Sequence, residues 1–325
     1  MSRVLDPGAS VTVRVPASSA NLGPGFDSIG LALGLWDTCT ATVTDTPGIV
    51  VDVEGEGAQD VPRDGSHLVV RTMLRAWEAL GVEPPPGLHL QCANTVPHGR
   101  GLGSSATAIV TGILAAQGID DVCRGAGGDG ASPDLGFVND LAAELEGHPD
   151  NSSASVFGGL TLSWSDEPGR TSTVRLEPHP DVRALVFVPA TQLSTAKARS
   201  VLPTHVRHGD AASNSARAAL LVHAVTSQPA YLLAATREWL HQEARRESFS
   251  SSMALVDRLR AAGHAAVISG AGPSVLVLTT ADRAGEVTAF GDPAWSVLAP
   301  GIPTIGAHIT DRTRAGLDPQ SRDFG

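Results

Sequence analysis

The sequence predicts an α+β protein with two lobes. Apolar residues recur with the two-residue period of strands in some segments and with the helical period in others, without the strict alternation of a βαβ protein. A chain of 325 residues is long enough for two lobes. A turn-forming Asp-Glu-Pro-Gly run at residues 166–169 interrupts strand-like sequence near the middle. We therefore expect an N-terminal lobe of residues 1–168 and a C-terminal lobe of residues 169–325.

The N-terminal half contains short alternating segments and longer segments of helical period. The alternating segments predict four strands, at residues 11–15, 37–43, 49–53 and 88–94. The longer segments predict three helices, at residues 66–80, 107–117 and 134–146. Turn-forming residues at 16–25 predict a loop after the first strand, and residues 153–164 are strand-like.

The pattern restarts in the C-terminal half with more helix than strand. Helices are predicted at residues 195–201, 210–225, 231–242, 250–262 and 282–290. Strands are predicted at residues 184–188, 265–269, 275–279 and 304–309. The glycine-rich insert at residues 124–132 is expected to be a flexible surface loop, and the polar tail after Thr310 is expected to fray.

Composition and charge exclude several classes of partner. The formal net charge of −11 and a pI near 5.4 leave no basic surface for nucleic acid. No apolar run approaches the roughly 18 residues of a membrane span, and the N-terminus has no hydrophobic signal region. We therefore expect a cytoplasmic protein that binds neither nucleic acid nor a membrane, with a small phosphorylated ligand as the better candidate.

Three other sequence patterns do not indicate a functional site. The chain has three cysteines, Cys39, Cys92 and Cys123. Their odd number and wide spacing predict small buried hydrophobic residues rather than a disulfide framework or a zinc site. Residues 125–130 match the G-x-G-x-x-G dinucleotide pattern, but they follow no clear strand and open no helix. His205 and His208 have no third ligand nearby, so we expect no metal there.

Three glycines in the segment PHGRGLGSSA, at residues 97–106, lead into two hydroxyl side chains and an apolar helix. At such a strand-to-helix junction, glycines allow backbone N–H groups to approach an anion, and Ser104 or Ser105 can cap the helix. The loop lacks the lysine of a Walker A motif. Spacing alone therefore leaves two interpretations, a phosphate loop of another geometry and a tight structural turn.

Three further segments accompany this loop: PASSANLGPGFD at residues 16–27, EGHPDN at 146–151 and ISGAGPSV at 268–275. Together the four segments resemble the GHMP kinases, a family of small-molecule kinases, in the family's order along the chain. Two further runs narrow the resemblance to the members that phosphorylate L-homoserine: Leu-Ala-Leu at residues 31–33 and Phe-Gly-Gly at residues 157–159. The resemblance extends from about residue 11 to residue 279.

The resemblance implies a fold and a reaction that composition cannot show. The N-terminal lobe would resemble the second domain of ribosomal protein S5, and the C-terminal lobe would be ferredoxin-like, with the active site between them. ATP would phosphorylate the side-chain hydroxyl of L-homoserine and give O-phospho-L-homoserine for threonine biosynthesis. ATP and Mg²⁺ are the implied cofactors, and a homodimer is common among relatives.

By resemblance, the glycine loop holds the phosphates of ATP. The implied ATP-binding residues are Pro97, His98, Gly99, Arg100, Gly101, Leu102, Gly103, Ser104, Ser105, Ala106 and Thr107. Mg²⁺ prefers few carboxylates together with phosphate oxygens. The resemblance implies Ser105 and Glu146 as its protein ligands, and Glu144 is an alternative to Glu146.

The acceptor end of the site must hold both charges of an amino acid. Homoserine carries an ammonium and a carboxylate group, so groups of both signs are needed. The carboxylate of Asp27 suits the ammonium group, and Arg199 and Arg245 would bind the carboxylate. The substrate-binding residues that the resemblance implies are Asn21, Asp27, His148, Arg199 and Arg245.

The resemblance places two catalytic residues, Asp150 and Asn151, beside the transferred phosphoryl group, although these kinases lack an evident carboxylate base. After them the family usually has small apolar residues, whereas this chain adds hydroxyls at residues 152–155. The run Ala-Arg-Arg-Glu at residues 244–247 also departs from the family near the same end. The acceptor is therefore open. The alternatives are a paralogous GHMP kinase for another hydroxylated amino acid or small alcohol, and a non-catalytic ligand-binding relative.

Overall fold

The structure is a computed structural model that describes residues 3–125, 132–167, 169–193 and 195–314, without the side chains of residues 195–197. Most of the glycine-rich insert, at residues 126–131, lies outside the described residues. The same holds for the end of the polar tail after residue 314. The expected flexibility of the insert therefore stays a prediction.

The first sheet is built around a long hairpin. Strand β1 (Ala9–Asn21) pairs antiparallel with β2 (Gly25–Thr44) across a short turn. On its other side β2 pairs with β4 (Gly87–Asn94), which carries β3 (Gly48–Gly55) in parallel at the edge. The remaining strands of this sheet are β5 (Leu160–Glu167), β6 (Arg170–Leu176) and β11 (His308–Arg314).

Helices pack against the first sheet and form its core. In the described residues they are α1 (Leu68–Leu80), α2 (Ser104–Cys123), α3 (Leu135–Glu146) and α4 (Pro149–Phe157). Ile113 and Leu114 of α2 share one buried cluster with Val11 and Val13 of β1 and with Trp77 of α1. Helix α2 is long and apolar enough to cross a membrane, but 83% of its apolar window is buried in the protein. It is therefore the central core helix.

The second sheet has the strand order β10-β7-β9-β8, and all its pairs are antiparallel. Its strands are β7 (Val182–Pro189), β8 (Ala265–Ile268), β9 (Val275–Thr280) and β10 (Trp295–Leu298). The helices of this half are α5 (Thr195–Ser200), α6 (His208–Thr226), α7 (Leu232–Ala235), α8 (Ser250–Ala261) and α9 (Ala284–Thr288). Leu31 of the first sheet and Val186 of the second belong to one buried cluster, which joins the two sheets.

The two sheets with their helices confirm the predicted α+β class. The predicted lobe boundary, after residue 168, stays a prediction. Strands β6 and β11 both follow that position in the chain, yet they join the first sheet. Residues 310–314 do not fray as expected, because backbone pairing with the start of β1 makes them part of β11.

Two segments that adjoin Asn21 and Asn151 in the chain differ from their predicted structure. Residues 16–21 extend β1 instead of forming a loop, because the small side chains of Ala17, Ser18 and Ser19 fit fully buried positions beside β2. Residues 153–157 belong to α4 rather than to a strand. Pro149 at the first turn and Asp150 near the helix N-terminus both favour this helix.

The predicted helix at residues 231–242 is helical only over Leu232–Ala235. The carboxylate of Glu238 accepts hydrogen bonds from the backbone N–H groups of Leu240, His241 and Gln242. A side chain that takes these donors competes with the helical hydrogen-bond ladder. The resulting irregular segment connects α7 to Arg245 along the chain.

Candidate active site

A cleft between the two sheets collects side chains from distant parts of the chain. The glycine loop, the turn between β1 and β2, the start of α4 and helix α5 all contribute to its walls. Every residue predicted for catalysis, substrate binding or metal binding lines it, namely Asn21, Asp27, Ser105, Glu146, His148, Asp150, Asn151, Arg199 and Arg245. The sequence segments therefore meet in one place, although their roles stay predictions.

The glycine loop approaches the cleft through its backbone. Gly99, Gly101 and Gly103 have φ angles of 64°, 74° and 71°, in the left-handed region that favours glycine. A Cβ on Gly101 would lie 2.3 Å from the carbonyl oxygen of Ser269, and one on Gly103 would lie 2.2 Å from Oγ of Ser18. Side chains are excluded at both positions, which leaves the loop surface to backbone groups.

Several predicted ATP-binding residues turn their side chains away from the cleft. Pro97, Leu102, Ala106 and Thr107 are buried. The guanidinium group of Arg100 donates hydrogen bonds to carbonyl oxygens at the end of β7 and just after it. These five residues shape the loop, and only their backbone groups remain available to an anion.

Helix α2 begins directly after the loop. Its N-cap is Gly103 and no side chain caps it, so the expected cap by Ser104 or Ser105 is wrong. Instead, Oγ of Ser105 donates a hydrogen bond of 2.6 Å to Oε1 of Glu146. The positive end of the α2 dipole and this hydroxyl–carboxylate pair therefore meet at the cleft.

The two candidate glutamates occupy different places. Glu146 is the last residue of α3 and lines the cleft. Glu144 lies two residues earlier on the same helix, where an Nη2 atom of Arg75 approaches its Oε1 to 3.9 Å, and it does not line the cleft. Side chains two apart on a helix do not share a face. Of the two candidates, Glu146 therefore faces the cleft and Glu144 does not, and the role of either as a Mg²⁺ ligand stays a prediction.

The turn between β1 and β2 is a strained segment. Asn21, Leu22 and Asp27 have φ angles of 69°, 46° and 55°, which is unusual for residues other than glycine. Oδ1 of Asn21 accepts a hydrogen bond of 3.0 Å from the backbone N–H of Asp27, and Nδ2 of Asn21 donates one of 3.0 Å to the carbonyl of Gly270. Both ends of the Asn21 amide are engaged, so this side chain holds Asp27 in place.

One end of the cleft brings together charged groups of both signs. The carboxylate of Asp27 accepts two hydrogen bonds from Arg199, at 2.6 and 3.1 Å. The guanidinium carbons of Arg199 and Arg245 lie 5.7 and 5.6 Å from the ring centre of Phe26, within the range of cation–π contacts. One carboxylate and two guanidinium groups therefore surround a single aromatic ring.

Buried partners fix the position of the Arg245 guanidinium group. Its Nε donates a hydrogen bond of 2.8 Å to the carbonyl of Ala198, and its Nη1 lies 3.4 Å from Nδ1 of His241. The Nε2 of His241 lies 2.9 Å from the carbonyl oxygen of Gly23 and donates to it, whereas Nδ1 faces a guanidinium that can only donate, so the ring is neutral. His241 also stacks on Phe26 at 5.1 Å. Sequence reasoning missed both rings, and the position of Phe26 beside Asp27 was the available signal.

His241 makes the stability of the protein dependent on pH. Burial lowers the pKa of His241 in the folded protein, whereas in the unfolded chain the pKa is near its usual value of about 6.5. The unfolded state therefore binds the proton first as pH falls. This contribution to stability is complete above about pH 6.5 and is lost below it, at no more than about 1.4 kcal/mol per pH unit.

We expect His241→Gln to flatten the fall in unfolding free energy between pH 7.5 and 5 relative to the unchanged protein. Urea unfolding at each pH measures this slope. His223→Gln is the control, because His223 is exposed and should leave the slope unchanged. Equal slopes in the three proteins would contradict a buried neutral His241.

His148 and Asp150 form a hydrogen-bonded pair at the start of α4. Nδ1 of His148 lies 2.7 Å from Oδ1 of Asp150, whose side chain is almost fully buried. Burial lowers the pKa of His148, but the hydrogen bond and charge of Asp150 outweigh it, so the pKa is raised. Ligand atoms of Asp27, His148 and Asp150 lie within 4.8 Å of one another. Each of the two carboxylates already has a partner, Arg199 for Asp27 and His148 for Asp150.

The hydroxyls that depart from the family pattern do not reach the cleft. Ser152, Ser153 and Ser155 are fully buried and absent from its lining. In the second departure, at residues 244–247, Arg245 lines the cleft, whereas Arg246 forms surface ion pairs with Glu243 and Asp257. The effect of these departures on the choice of acceptor stays a prediction.

A second cavity of about 300 Å³ adjoins the start of α2. Ser104 and Ser105 line both this cavity and the cleft. Its walls are largely apolar and come from α1, β2 and β4, with His98 of the glycine loop at the side. Sequence reasoning did not find this cavity, because its residues belong to separate elements without a shared motif.

Comparison with known proteins identifies the family. The pattern of the GHMP kinases N terminal domain matches residues 67–159, and that of the GHMP kinases C terminal domain matches residues 221–291. The homoserine kinase of Streptomyces coelicolor is 48% identical over 301 residues, which cover 93% of this chain and 94% of that protein. The chain belongs to the homoserine kinase family of GHMP kinases. The homoserine kinase of Rhodococcus opacus is 45% identical and covers 97% of this chain and 99% of its own length.

The GHMP kinase fold is confirmed by structure as well. The crystal structure of homoserine kinase from Cytophaga hutchinsonii superposes with a TM-score of 0.78 at 23% identity and covers 92% of this chain and 97% of that one. The N-terminal family pattern contains the glycine loop and the start of α4, and the C-terminal pattern contains Arg245. As a GHMP kinase, this protein is an ATP-dependent phosphotransferase with an alcohol as acceptor.

Proposed function

We propose that this protein transfers the γ-phosphoryl group of ATP to the side-chain hydroxyl of L-homoserine, giving O-phospho-L-homoserine for threonine biosynthesis. The observation that carries this proposal is the arrangement of Asp27, Arg199 and Arg245 around one ring of the cleft. These groups match the two charges of an amino acid. The relatives at 45% and 48% identity, both homoserine kinases, support the same acceptor.

Binding of a zwitterion would exchange the partners of existing charges. The ion pair between Asp27 and Arg199 opens, Asp27 takes the ammonium group, and Arg199 joins Arg245 at the carboxylate. Each charge keeps an opposite partner, so no group is left desolvated and unpaired. A neutral alcohol offers no such exchange, and it would have to break the pair between Asp27 and Arg199 or bind beside it.

The donor would occupy the glycine loop and the adjoining cavity. A volume of about 300 Å³ with apolar walls suits an adenine base, and the cavity leads to Ser104 and Ser105. The phosphates would then lie at the start of α2, where backbone N–H groups and the helix dipole favour anions. The eleven predicted ATP-binding residues contribute mainly through their backbone.

Mg²⁺ would be held by Ser105 and Glu146. Their oxygens lie 2.6 Å apart at the phosphate end, and a hydroxyl with one carboxylate suits a cation that also binds phosphate oxygens. When bound, the ion neutralises negative charge on the phosphates. Glu144, which faces Arg75, is not part of this assignment.

The residues beside the acceptor hydroxyl would act by position. Phosphoryl transfer depends on in-line geometry and on neutralising charge more than on covalent catalysis. In the described cleft, the carboxylates of Asp27, Glu146 and Asp150 each have a partner already. Asp150 would fix the ring of His148 through Nδ1, and Asn151 would contact the transferred group. This arrangement agrees with a reaction that has no strong base.

ADP release with Mg²⁺ and a panel of L-homoserine, L-threonine, L-serine and mevalonate tests the acceptor. We expect kcat/KM for L-homoserine to exceed that of the other compounds by about 100-fold or more, because both charges and the chain length must fit. A higher value with another acceptor would indicate a paralogous kinase, and ATP binding without turnover would indicate a binding protein. A homodimer, a cytoplasmic location and the absence of nucleic-acid and membrane partners stay predictions.

A further inference from the structure

A chain of buried hydroxyls runs from helix α4 to the cleft. Oγ of Ser155 donates a hydrogen bond of 3.3 Å to Oγ of Ser18, which in turn donates one of 3.1 Å to Oδ1 of Asn151. Both serines are fully buried and neither lines the cleft, whereas Asn151 does. The serines can therefore influence the reaction only through the residues that they contact.

The direction of this chain determines which end of the Asn151 amide reaches the cleft. A hydroxyl group has one proton. Because Ser18 accepts from Ser155, its own proton is directed to Asn151, which must present its oxygen to Ser18. Among the hydrogen bonds of the described residues, none engages Nδ2 of Asn151, so its two N–H bonds are the part of the amide that can donate to a ligand in the cleft.

We propose that Ser18 and Ser155 are positioning residues that keep the Asn151 amide turned so that it donates hydrogen bonds to the transferred phosphoryl group. The proposal rests on the proposed phosphoryl transfer. A hydrogen-bond donor at this place would stabilise the negative charge on the phosphoryl oxygens in the transition state. The opposite orientation would present a carbonyl oxygen to that charge.

The glycine loop packs against the same groups. A Cβ at Gly103 would lie 2.2 Å from Oγ of Ser18 and 3.2 Å from Oδ1 of Asn151. The glycine-loop backbone, where the phosphates are proposed to bind, therefore contacts the hydroxyl chain directly. A displaced Ser18 would disturb the loop as well as the amide.

Helix geometry explains why Ser155, and not its neighbours, belongs to this chain. Asn151 and Ser155 are four residues apart on α4 and share a face of the helix. Ser153, two residues from each, points elsewhere and donates a hydrogen bond of 2.7 Å to Oδ1 of Asn139. Ser155 therefore contacts Ser18, whereas Ser153 does not.

Removing either serine hydroxyl tests the proposal. We expect Ser155→Ala and Ser18→Ala to lower kcat about three- to tenfold, the value of one hydrogen bond, with the KM for the acceptor changed less than about twofold. Ser153→Ala is the matched control, because it removes an equally buried hydroxyl from the same helix and should leave kcat unchanged. Thermal unfolding of each variant shows whether it is folded, and Ser18→Ala repeats the test if Ser155→Ala is not.

Two further variants separate orientation from general packing. Asn151→Asp keeps an oxygen for Ser18 but loses the donor, so kcat should fall about 100-fold. In an Asn151→Ala background, Ser155→Ala should have no further effect on kcat, because its role acts through that amide. An additive effect in the double variant, an equal loss in Ser153→Ala, or an active Asn151→Asp would each overturn the proposal.

All rates in this test are measured with whichever acceptor of the panel gives the highest turnover. The experiment then tests the proposed substrate and the proposed role of the serines independently of each other. If L-homoserine is not the best acceptor, the proposed substrate is wrong, and the double variants still report on the hydroxyl chain. If L-homoserine is best and the effects are additive, the substrate stands and the positioning role is rejected.

Discussion

Asp27→Asn is expected to raise the KM for L-homoserine about 30-fold or more while leaving the KM for ATP within about twofold. The change removes the charge that would hold the substrate ammonium group, and loss of one partner of a charged contact that the bound substrate covers costs about 2 kcal/mol or more. Asparagine tolerates the left-handed backbone at this position, whose φ is 55°. Asp27→Ala would add backbone strain to the loss of charge, so the asparagine variant isolates the charge.

The matched acceptor for this test is 4-hydroxybutyrate, which has the hydroxyl and carboxylate of homoserine but no ammonium group. The unchanged protein should prefer L-homoserine strongly in kcat/KM. Asp27→Asn should lose most of that preference, because the discriminating contact is gone. Parallel losses for ATP and L-homoserine, or an unchanged preference over 4-hydroxybutyrate, would show that Asp27 acts on the structure of the cleft instead.

Glu146→Gln is expected to lower kcat about 100-fold and to raise the Mg²⁺ concentration required for half-maximal rate. The glutamine amide keeps the shape of the side chain and can still contact Ser105, but it lacks the negative charge that would bind the cation. A loss of this size is typical when one electrostatic contact to the transition state is removed. Initial rates over a Mg²⁺ titration at saturating ATP measure both quantities.

Glu144→Gln provides the control from the same helix. Glu144 approaches Arg75 and is absent from the cleft lining, so its variant should keep the kcat and the Mg²⁺ dependence of the unchanged protein. A large loss in Glu144→Gln with a normal Glu146→Gln would reverse the assignment. Equal small effects would mean that neither carboxylate binds the ion.

The residues that line the cleft were largely predictable, because they lie in short, locally determined segments. Asp27 and Arg245 are indicated by the resemblance of short segments to the GHMP kinases. Gly101 and Gly103 indicate positive φ angles at a strand-to-helix junction, which depends on residue type and close spacing. The same reasoning failed for residues 16–21 and 153–157, where small residues were interpreted as a loop and as a strand. Small side chains fit several conformations, and packing against β2 and the sheet selected one.

Other parts of the site could not be predicted because they depend on which side chains face one another. That Glu146 and not Glu144 lines the cleft depends on which face of α3 packs beside the start of α2. The apolar cavity beside Ser105 is formed by α1, β2 and β4, which share no motif. His241 reaches Phe26 from the irregular segment after α7, where the Glu238 carboxylate accepts a hydrogen bond from the backbone N–H of His241.

By itself, the sequence determined the chemical groups available to this GHMP kinase, since the glycines, charges and hydroxyls and their order along the chain are fixed covalently. The tertiary structure decided their direction. It turned Ser152, Ser153 and Ser155 away from the cleft, paired Asp27 with Arg199, and joined Ser155 to Asn151 through Ser18. The reason is that side-chain direction depends on helix rotation and sheet register, which are set by packing between segments far apart in the chain.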